Sequence, residues 1–179
     1  MSKATNGITE YEGALLALVL RQQPVTAYQL FKAHEQSPVT SFNASKGQVY
    51  PAIRRLKERE LIEARKVAGD GRNSEVLSVT EAGRKLVRDW VDDIDPSHII
   101  LDDPLRTRML SLDLLSREEK LAWVARAKGL VRRRAQVVEE YNQSVDVPFQ
   151  QFAYRSVMEA LRVKNEWLDE LLSHVASTD

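Results

Sequence analysis

The sequence predicts a mainly helical protein with one small β-hairpin, divided into two domains. Four Ser or Thr residues are each followed three positions later by Glu or Gln, the capping-box pattern of a helix start. Two short β-prone segments flank a Gly-rich turn at 68–73, which is typical of a hairpin. The stretch 94–104, with Pro96, Pro104 and several aspartates, interrupts the helical pattern and predicts a domain boundary.

The composition limits the class of protein. The 179 residues are 43% apolar and 29% charged, as in an ordinary protein with a buried core. Because there is no cysteine, disulfides, thiolate metal sites and a cysteine nucleophile are excluded. The first residues lack the pattern of a signal peptide, and the longest apolar run, 14–20, is too short to span a bilayer. We therefore expect a cytoplasmic protein.

The charge is unevenly distributed along the chain, although the net charge is zero. Residues 1–91 carry 14 Lys and Arg against 10 Asp and Glu, whereas residues 92–179 carry 12 against 16. A basic segment joined to an acidic one indicates a module that faces a polyanion. Ordinary variation between proteins explains a difference of this size equally well.

The first half predicts the element order helix, helix, helix, hairpin, helix. Capping boxes at Thr9, Thr26 and Ser45 begin helices at 10–21, 27–35 and 46–60. Strands follow at 61–67 and 75–79, and Thr80 begins a fourth helix that ends near residue 93. This order is that of a winged helix-turn-helix, in which the third helix enters the major groove of DNA and the hairpin contacts the flanking backbone.

The second half predicts a helical domain. Helices are expected at 105–114 and, after a capping box at Ser116, at 117–142. Pro148 is expected in the first turn of a last helix that ends near residue 175. Apolar residues keep the 3–4 spacing along that helix, with Lys164 as the one interruption. This apolar stripe is longer than one small domain needs, so part of it is expected to contact a second copy.

The third helix has two chemically different sides. Its apolar residues recur at i, i+3, i+4 and i+7 and form one buried stripe: Val49, Ala52, Ile53 and Leu56. The opposite side carries Gly47, Pro51 and Arg54, with Tyr50 and Arg55 on its flanks. A side that is small near the helix start and cationic further on suits the major groove, where Arg reaches phosphate or guanine.

Several features of this helix have two readings. Gln48 either caps Ser45 or reads adenine with its amide. Pro51 removes one helical hydrogen bond, so the first turn is expected to be irregular. The cations alone are explained equally well as a solvated helix face. The order of the elements, rather than the charges, favours DNA binding.

The same residues resemble the PadR family of bacterial transcriptional regulators. The resemblance lies in the run GQVYPAIRRLKERELIE at 47–63, in SVTEAGRKL at 78–86 and in the Ala27-Tyr28 pair, where the family usually has Gly-Tyr. The run NEWLDELL at 165–172 looks like the closing helix of the family. The match is strong over 8–92 and looser over 104–175. Basic and aromatic residues that the family often has before the Thr are replaced by Ser74, Glu75, Val76 and Leu77.

The resemblance implies a DNA-binding regulator, expected to be a repressor that binds a pseudo-palindromic operator as a homodimer. The domains are a winged helix-turn-helix at 1–94, a linker at 95–103, and a helical dimerisation and effector-response domain at 104–179. The expected DNA contacts are Tyr28, Ser45, Lys46, Gly47, Gln48, Tyr50, Arg54, Arg55, Lys66 and Arg72. The expected dimer contacts are Phe149, Phe152, Leu161, Trp167, Leu168, Leu171 and Leu172.

Nothing in the sequence predicts an enzyme, a cofactor or a metal site. The three histidines are scattered, and no phosphate-binding loop or nucleophile motif is present. The aspartates at 92–103 lack the spacing of a calcium or zinc site and indicate a solvated linker. Trp90, Trp123 and Trp167 either line an effector pocket or anchor the core and the interface. Two alternatives stay open: a winged helix that binds protein, and a helical carrier of a small molecule.

Overall fold

A computed structural model of the chain describes residues 7–38, 46–67, 75–99 and 103–177. The chain divides into two compact units, Met1–Ile100 and Leu101–Asp179. The predicted fold class is confirmed: within the described residues the chain is mainly helical, with one antiparallel two-stranded sheet. The elements of the first unit are α1 (Glu10–Gln22), α2 (Ala27–Gln36), α3 (Lys46–Glu58), β1 (Ile62–Lys66), β2 (Glu75–Val79) and α4 (Glu81–Asp92).

The helix starts of the first unit use the predicted capping residues. The Thr9 hydroxyl accepts the Glu12 backbone N–H, and the Glu12 carboxylate accepts the Thr9 N–H in return. Thr26 and Gln29 make the same reciprocal pair at the start of α2. Each pair satisfies two of the backbone donors that a helix start leaves free, which is why these boundaries could be read from the sequence.

The third helix ends two residues earlier than predicted. Glu60 adopts a left-handed backbone with φ of 56°. The N–H groups of Glu60 and Leu61 donate to the carbonyls of Lys57 and Leu56, the two bonds that close a Schellman motif. Glycine is the usual residue at this left-handed position, so a sequence with glutamate there does not signal the helix end.

The hairpin pairs Ile62 with Val79 at its base and Lys66 with Glu75 towards its tip. Val25 makes an isolated antiparallel bridge to it, since Val25 and Leu77 exchange both backbone hydrogen bonds, at 3.2 and 2.8 Å. The core of this unit lies between the helices and the sheet. It includes the predicted stripe of α3, with Val49, Ala52 and Leu56 fully buried and Ile53 nearly so.

A close contact joins the end of α3 to the start of α4. The single proton of the Thr80 hydroxyl is shared between the carbonyls of Glu60 and Leu61, at 2.8 and 3.2 Å, and the hydroxyl oxygen accepts the N–H of Gly83. A Cβ atom on Gly83 would lie 2.2 Å from the Leu61 carbonyl oxygen. The Thr-Glu-Ala-Gly run therefore has a physical basis, because only glycine allows the helix to approach that carbonyl.

The second unit contains α5 (Pro104–Met109), α6 (Arg117–Ser144) and α7 (Gln150–Ser177). Here the helix predicted at 105–114 is wrong, because α5 ends at Met109 and a separate 3-10 turn covers Leu112–Leu114. Ser111 donates its N–H to Arg108, three residues back, and its backbone leaves the helical region. The predicted first-turn position of Pro148 is also wrong. Phe149 has φ of 64°, so α7 begins only at Gln150.

The core of the second unit lies between α6 and α7. Val124, Ala127 and Val131 pack against Leu168, and Leu161, Trp167, Leu171 and Leu172 border this cluster. Lys164, which interrupts the apolar stripe of α7, places its Nζ 2.8 Å from Asp103 Oδ2. Asp103 also caps α5 by accepting the N–H groups of Leu105 and Arg106. Lys164 therefore ties α7 to the start of α5.

Candidate nucleic-acid interface

The outer face of α3, defined here as Gly47, Tyr50, Pro51, Arg54 and Glu58, is exposed along its whole length. Tyr50 is 42% exposed, and the Arg54 side chain is 80% exposed. The helix runs unbroken through Pro51, so the irregularity expected there is not seen within α3. The small Gly47 near the helix start and the cation about two turns later lie opposite the buried stripe, as a groove-binding helix requires.

Arg55 has a different environment from its neighbour Arg54. Its Nε donates to Glu12 Oε1 at 2.6 Å, and Glu12 is only 5% exposed. Burial raises the pKa of Glu12, but the Thr9 N–H and the Arg55 guanidinium together lower that pKa below its usual value. This ion pair joins α3 to the first turn of α1.

The other described cations of α3, and Arg59 just beyond its end, also have partners. Lys57 Nζ lies 2.8 Å from the Glu75 carboxylate on β2. That lysine is the main cause that lowers the pKa of Glu75. Arg59 donates to the Gly7 carbonyl at 2.7 Å. Among the residues that the structure describes, Arg54 pairs with Glu58 of its own helix at 3.3 Å, and both of those side chains are mostly exposed.

The remaining expected DNA contacts are placed unevenly. Tyr28 is 57% exposed on α2, Gln48 is exposed on α3, and Lys66 is exposed on β1. Ser45 and Arg72 lie outside the described residues, as does the side chain of Lys46. The choice between capping and base reading by Gln48 is therefore still a prediction.

The expected dimer contacts fall into two groups. Phe149 and Phe152 are 78% and 62% exposed, and their ring centroids lie 6.4 Å apart. Leu161, Trp167, Leu171 and Leu172 are partly buried against the core of their own unit. Leu168 is fully buried within a single chain, so its surface is already used between α6 and α7. The two phenylalanines are the members of this set with most surface left for a partner.

The three tryptophans are not in one cluster. Trp90 covers Gly13 of α1, where an added Cβ would lie 2.5 Å from the indole Nε1, and its Nε1–H points to Glu10 at 3.4 Å. Trp123 and Trp167 border the core of the second unit. Each tryptophan therefore packs against the core of its own unit.

The described residues contain neither a membrane-spanning helix nor a metal-binding cluster. None of the helices there is both long and apolar enough to cross a bilayer. Within the same part of the chain, no group of three His, Cys, Asp or Glu side chains is arranged to hold a metal ion.

A family model described as "Transcriptional regulator PadR-like family" matches residues 15–89, which begin within α1 and end within α4. This segment belongs to the PadR-like family. The PadR-like match covers less than half of the chain and includes the whole of α2, α3 and the hairpin. No curated protein matches the sequence.

Solved structures similar to the chain cover nearly all of it. The structure of Bacillus subtilis PadR in complex with operator DNA has a TM-score of 0.80 at 17% identity and covers 92% of this chain and 98% of that one. Bacillus subtilis PadR in complex with p-coumaric acid has a TM-score of 0.75 at 16% identity, with coverage of 93% and 96%. The Vibrio cholerae virulence activator AphA has a TM-score of 0.68 at 19% identity, with coverage of 93% and 98%. At these identities the likeness shows a shared fold.

Sequence reasoning missed the acidic partners of this PadR-like segment. Glu12 was read only as part of the capping box, although its second oxygen binds Arg55. Glu75 was read only as a departure from the family, although it binds Lys57. Neither pair has a local sequence signal, since the partners are 43 and 18 residues apart.

Proposed function

We propose that the protein is a sequence-specific DNA-binding transcriptional regulator. The observation that carries the proposal is the outer face of α3, where Gly47, Tyr50 and Arg54 are exposed opposite a fully buried stripe. A PadR-like segment with this face presents a helix start to base edges and a cation to the backbone. Lys66 is exposed on β1, and we assign it to the contact between the wing and the DNA backbone.

The working form in this proposal is a homodimer on a pseudo-palindromic operator, acting as a repressor in the cytoplasm. One winged domain contacts few bases, whereas a two-fold dimer reads two half-sites about 34 Å apart. The exposed Phe149 and Phe152 support a second copy bound at the start of α7. Repression would follow from occupying a promoter.

Selection of DNA from a random pool, followed by titration of the selected site at several salt concentrations, tests this function. We expect an enriched two-fold symmetric sequence and an affinity that falls steeply as salt rises. Changing Arg54 and Arg55 together to Ala should weaken binding at least tenfold while the dimer persists. Arg132 and Arg133, exposed on α6, provide a control variant with the same loss of charge. No enrichment, or equal affinity for the Arg54 and Arg55 variant, would reject the proposal.

A protein-binding winged helix is the second candidate, because Arg55, Lys57 and Arg59 already have partners within the chain. Absence of retention on heparin or DNA at low salt would favour it, whereas retention that falls steeply with salt favours DNA binding. A small-molecule effector is part of the main proposal, and the p-coumaric acid complex of Bacillus subtilis PadR supports a search among small aromatic acids. A rise in melting temperature on ligand addition, without any DNA binding, would favour a carrier instead.

A further inference from the structure

Arg55 and Glu12 join two helices of the winged unit at one buried carboxylate. One oxygen of Glu12 accepts the Arg55 Nε–H at 2.6 Å, and the other accepts the Thr9 backbone N–H at 3.1 Å. Glu12 is 5% exposed, whereas half of the Arg55 side chain is exposed. Both oxygens of the Glu12 carboxylate are therefore hydrogen-bonded only while the Arg55 side chain stays in contact with α1.

Arg54 and Arg55 differ in what they would lose by turning towards a phosphate. Arg54 would give up a 3.3 Å contact with Glu58, and exposed pairs of this kind contribute little. Arg55 would leave a buried carboxylate without its cation, which is strongly unfavourable. The two arginines also lie on different sides of the helix, because successive residues are 100° apart. Arg54 lies on the outer face and Arg55 on the flank that meets α1.

We propose that Arg55 is a positioning residue for DNA binding, which with Glu12 fixes the rotation of α3 against α1, while Arg54 makes the phosphate contact. This inference rests on the proposed function. It assigns to Glu12, a residue with almost no exposed surface, an indirect effect on DNA affinity.

The test measures the affinity of the full-length protein for its selected DNA site at several salt concentrations. The variants are R54Q, R55Q, E12Q and the double variant E12Q/R55Q, with K85Q as a control that removes one exposed charge from α4. In the double variant two neutral amides replace the ion pair. The net charge is unchanged, because one negative and one positive charge are lost together, and the two amides can hydrogen-bond to each other. Circular dichroism and thermal melting establish that each variant is folded at the temperature of the titration.

We expect R54Q to lower the slope of log affinity against log salt by about one, the loss of one phosphate contact. R55Q and E12Q should each lower affinity about tenfold at an unchanged slope, and the double variant should be no weaker than R55Q alone. A slope reduced by about one in the double variant would show that Arg55 binds phosphate and would overturn the inference. Wild-type affinity in R55Q and E12Q would also overturn it. Absence of binding by the wild-type protein would instead reject the proposed function itself.

Discussion

At the scale of single residues, Gly83 is the position where one added carbon has the clearest consequence. An alanine Cβ would lie 2.2 Å from the Leu61 carbonyl oxygen and 2.7 Å from Val79. The Leu61 carbonyl is held in this position, because it accepts both the backbone N–H of Thr80, at 3.1 Å, and the Thr80 hydroxyl. We expect Gly83→Ala to lower the free energy of unfolding by about 2 kcal/mol or more, measured by urea denaturation.

Gly129 of α6 is the matched control for that substitution. A Cβ there meets nothing closer than 3.6 Å, the end of the Arg133 side chain. Gly129→Ala should therefore leave stability unchanged or raise it by up to about 1 kcal/mol, as in an unobstructed helix. Equal losses for the two variants would show that the short distance at Gly83 has no energetic consequence.

Glu12 gives the winged unit a dependence on pH. Its pKa is held below the ordinary value of 4.5, so its contribution to stability is fully present above that pH and is lost as the pH falls through the lowered pKa. We expect wild-type protein to lose more stability than Glu12→Gln between about pH 5 and pH 3, measured by urea unfolding at each pH. Parallel curves for the two proteins would contradict this assignment.

At the scale of elements, the pair between Lys57 and Glu75 links α3 to the wing. Both side chains are partly exposed, at 37% and 46%, so the pair contributes less than about 1 kcal/mol to folding. Glu75→Gln should instead raise DNA affinity severalfold at low salt, because it removes an anion and releases Lys57 for the backbone. A titration against the selected DNA site, together with a melting curve, tests both statements.

Glu63→Gln on β1 is the control for that experiment. It removes the same charge from the exposed side of the neighbouring strand and releases no described cation. The excess gain of Glu75→Gln over Glu63→Gln measures the contribution of the two cations beside Glu75, which are Lys57 and Lys66. Equal gains would show that only the net charge of the wing changed.

The elements that the sequence predicted best are those with local chemical signals. Thr9, Thr26 and Ser116 each begin a helix through a reciprocal capping pair within four residues. The i, i+3, i+4 and i+7 stripe of α3 identified its buried side in the same way. These signals come from the order of neighbouring residues, so they do not depend on the rest of the fold.

The elements that the sequence predicted poorly depend on contacts across the chain or on unusual backbone conformations. Glu60 and Phe149 both have positive φ, and neither residue type predicts that conformation. The sequence predicts a DNA contact for Arg55 and gives no sign of its ion pair with Glu12, because the two residues are 43 positions apart. Lys164 interrupts the apolar stripe of α7, and its ion pair with Asp103 explains that interruption. Both ion pairs form between residues that are distant in the sequence, so no local pattern predicts them.

At the scale of the whole molecule, the exposed Phe149 and Phe152 indicate where a second copy of the chain would bind. Phe152→Asp places a charge on an apolar surface that is 62% exposed in one chain. If a second copy covers that surface, we expect the dimer dissociation constant to rise at least tenfold while the helical content is kept. Sedimentation velocity over a range of concentrations measures the change.

Gln151→Asp is the control, since it adds the same charge at the adjacent exposed position. Similar weakening in both variants would indicate general repulsion rather than a contact at Phe152. If Phe152→Asp had no effect, the dimer contact would have to be sought elsewhere on the chain.

Thr80 and Gly83 also determine how motion passes through the winged unit. Thr80 holds two carbonyls just beyond α3, and Gly83 leaves no gap between the first turn of α4 and one of them. The junction therefore leaves little room for α4 to move independently of the end of α3. We expect a change in the position of α4 to be passed on to the outer face of α3 through this contact rather than to be absorbed at the junction.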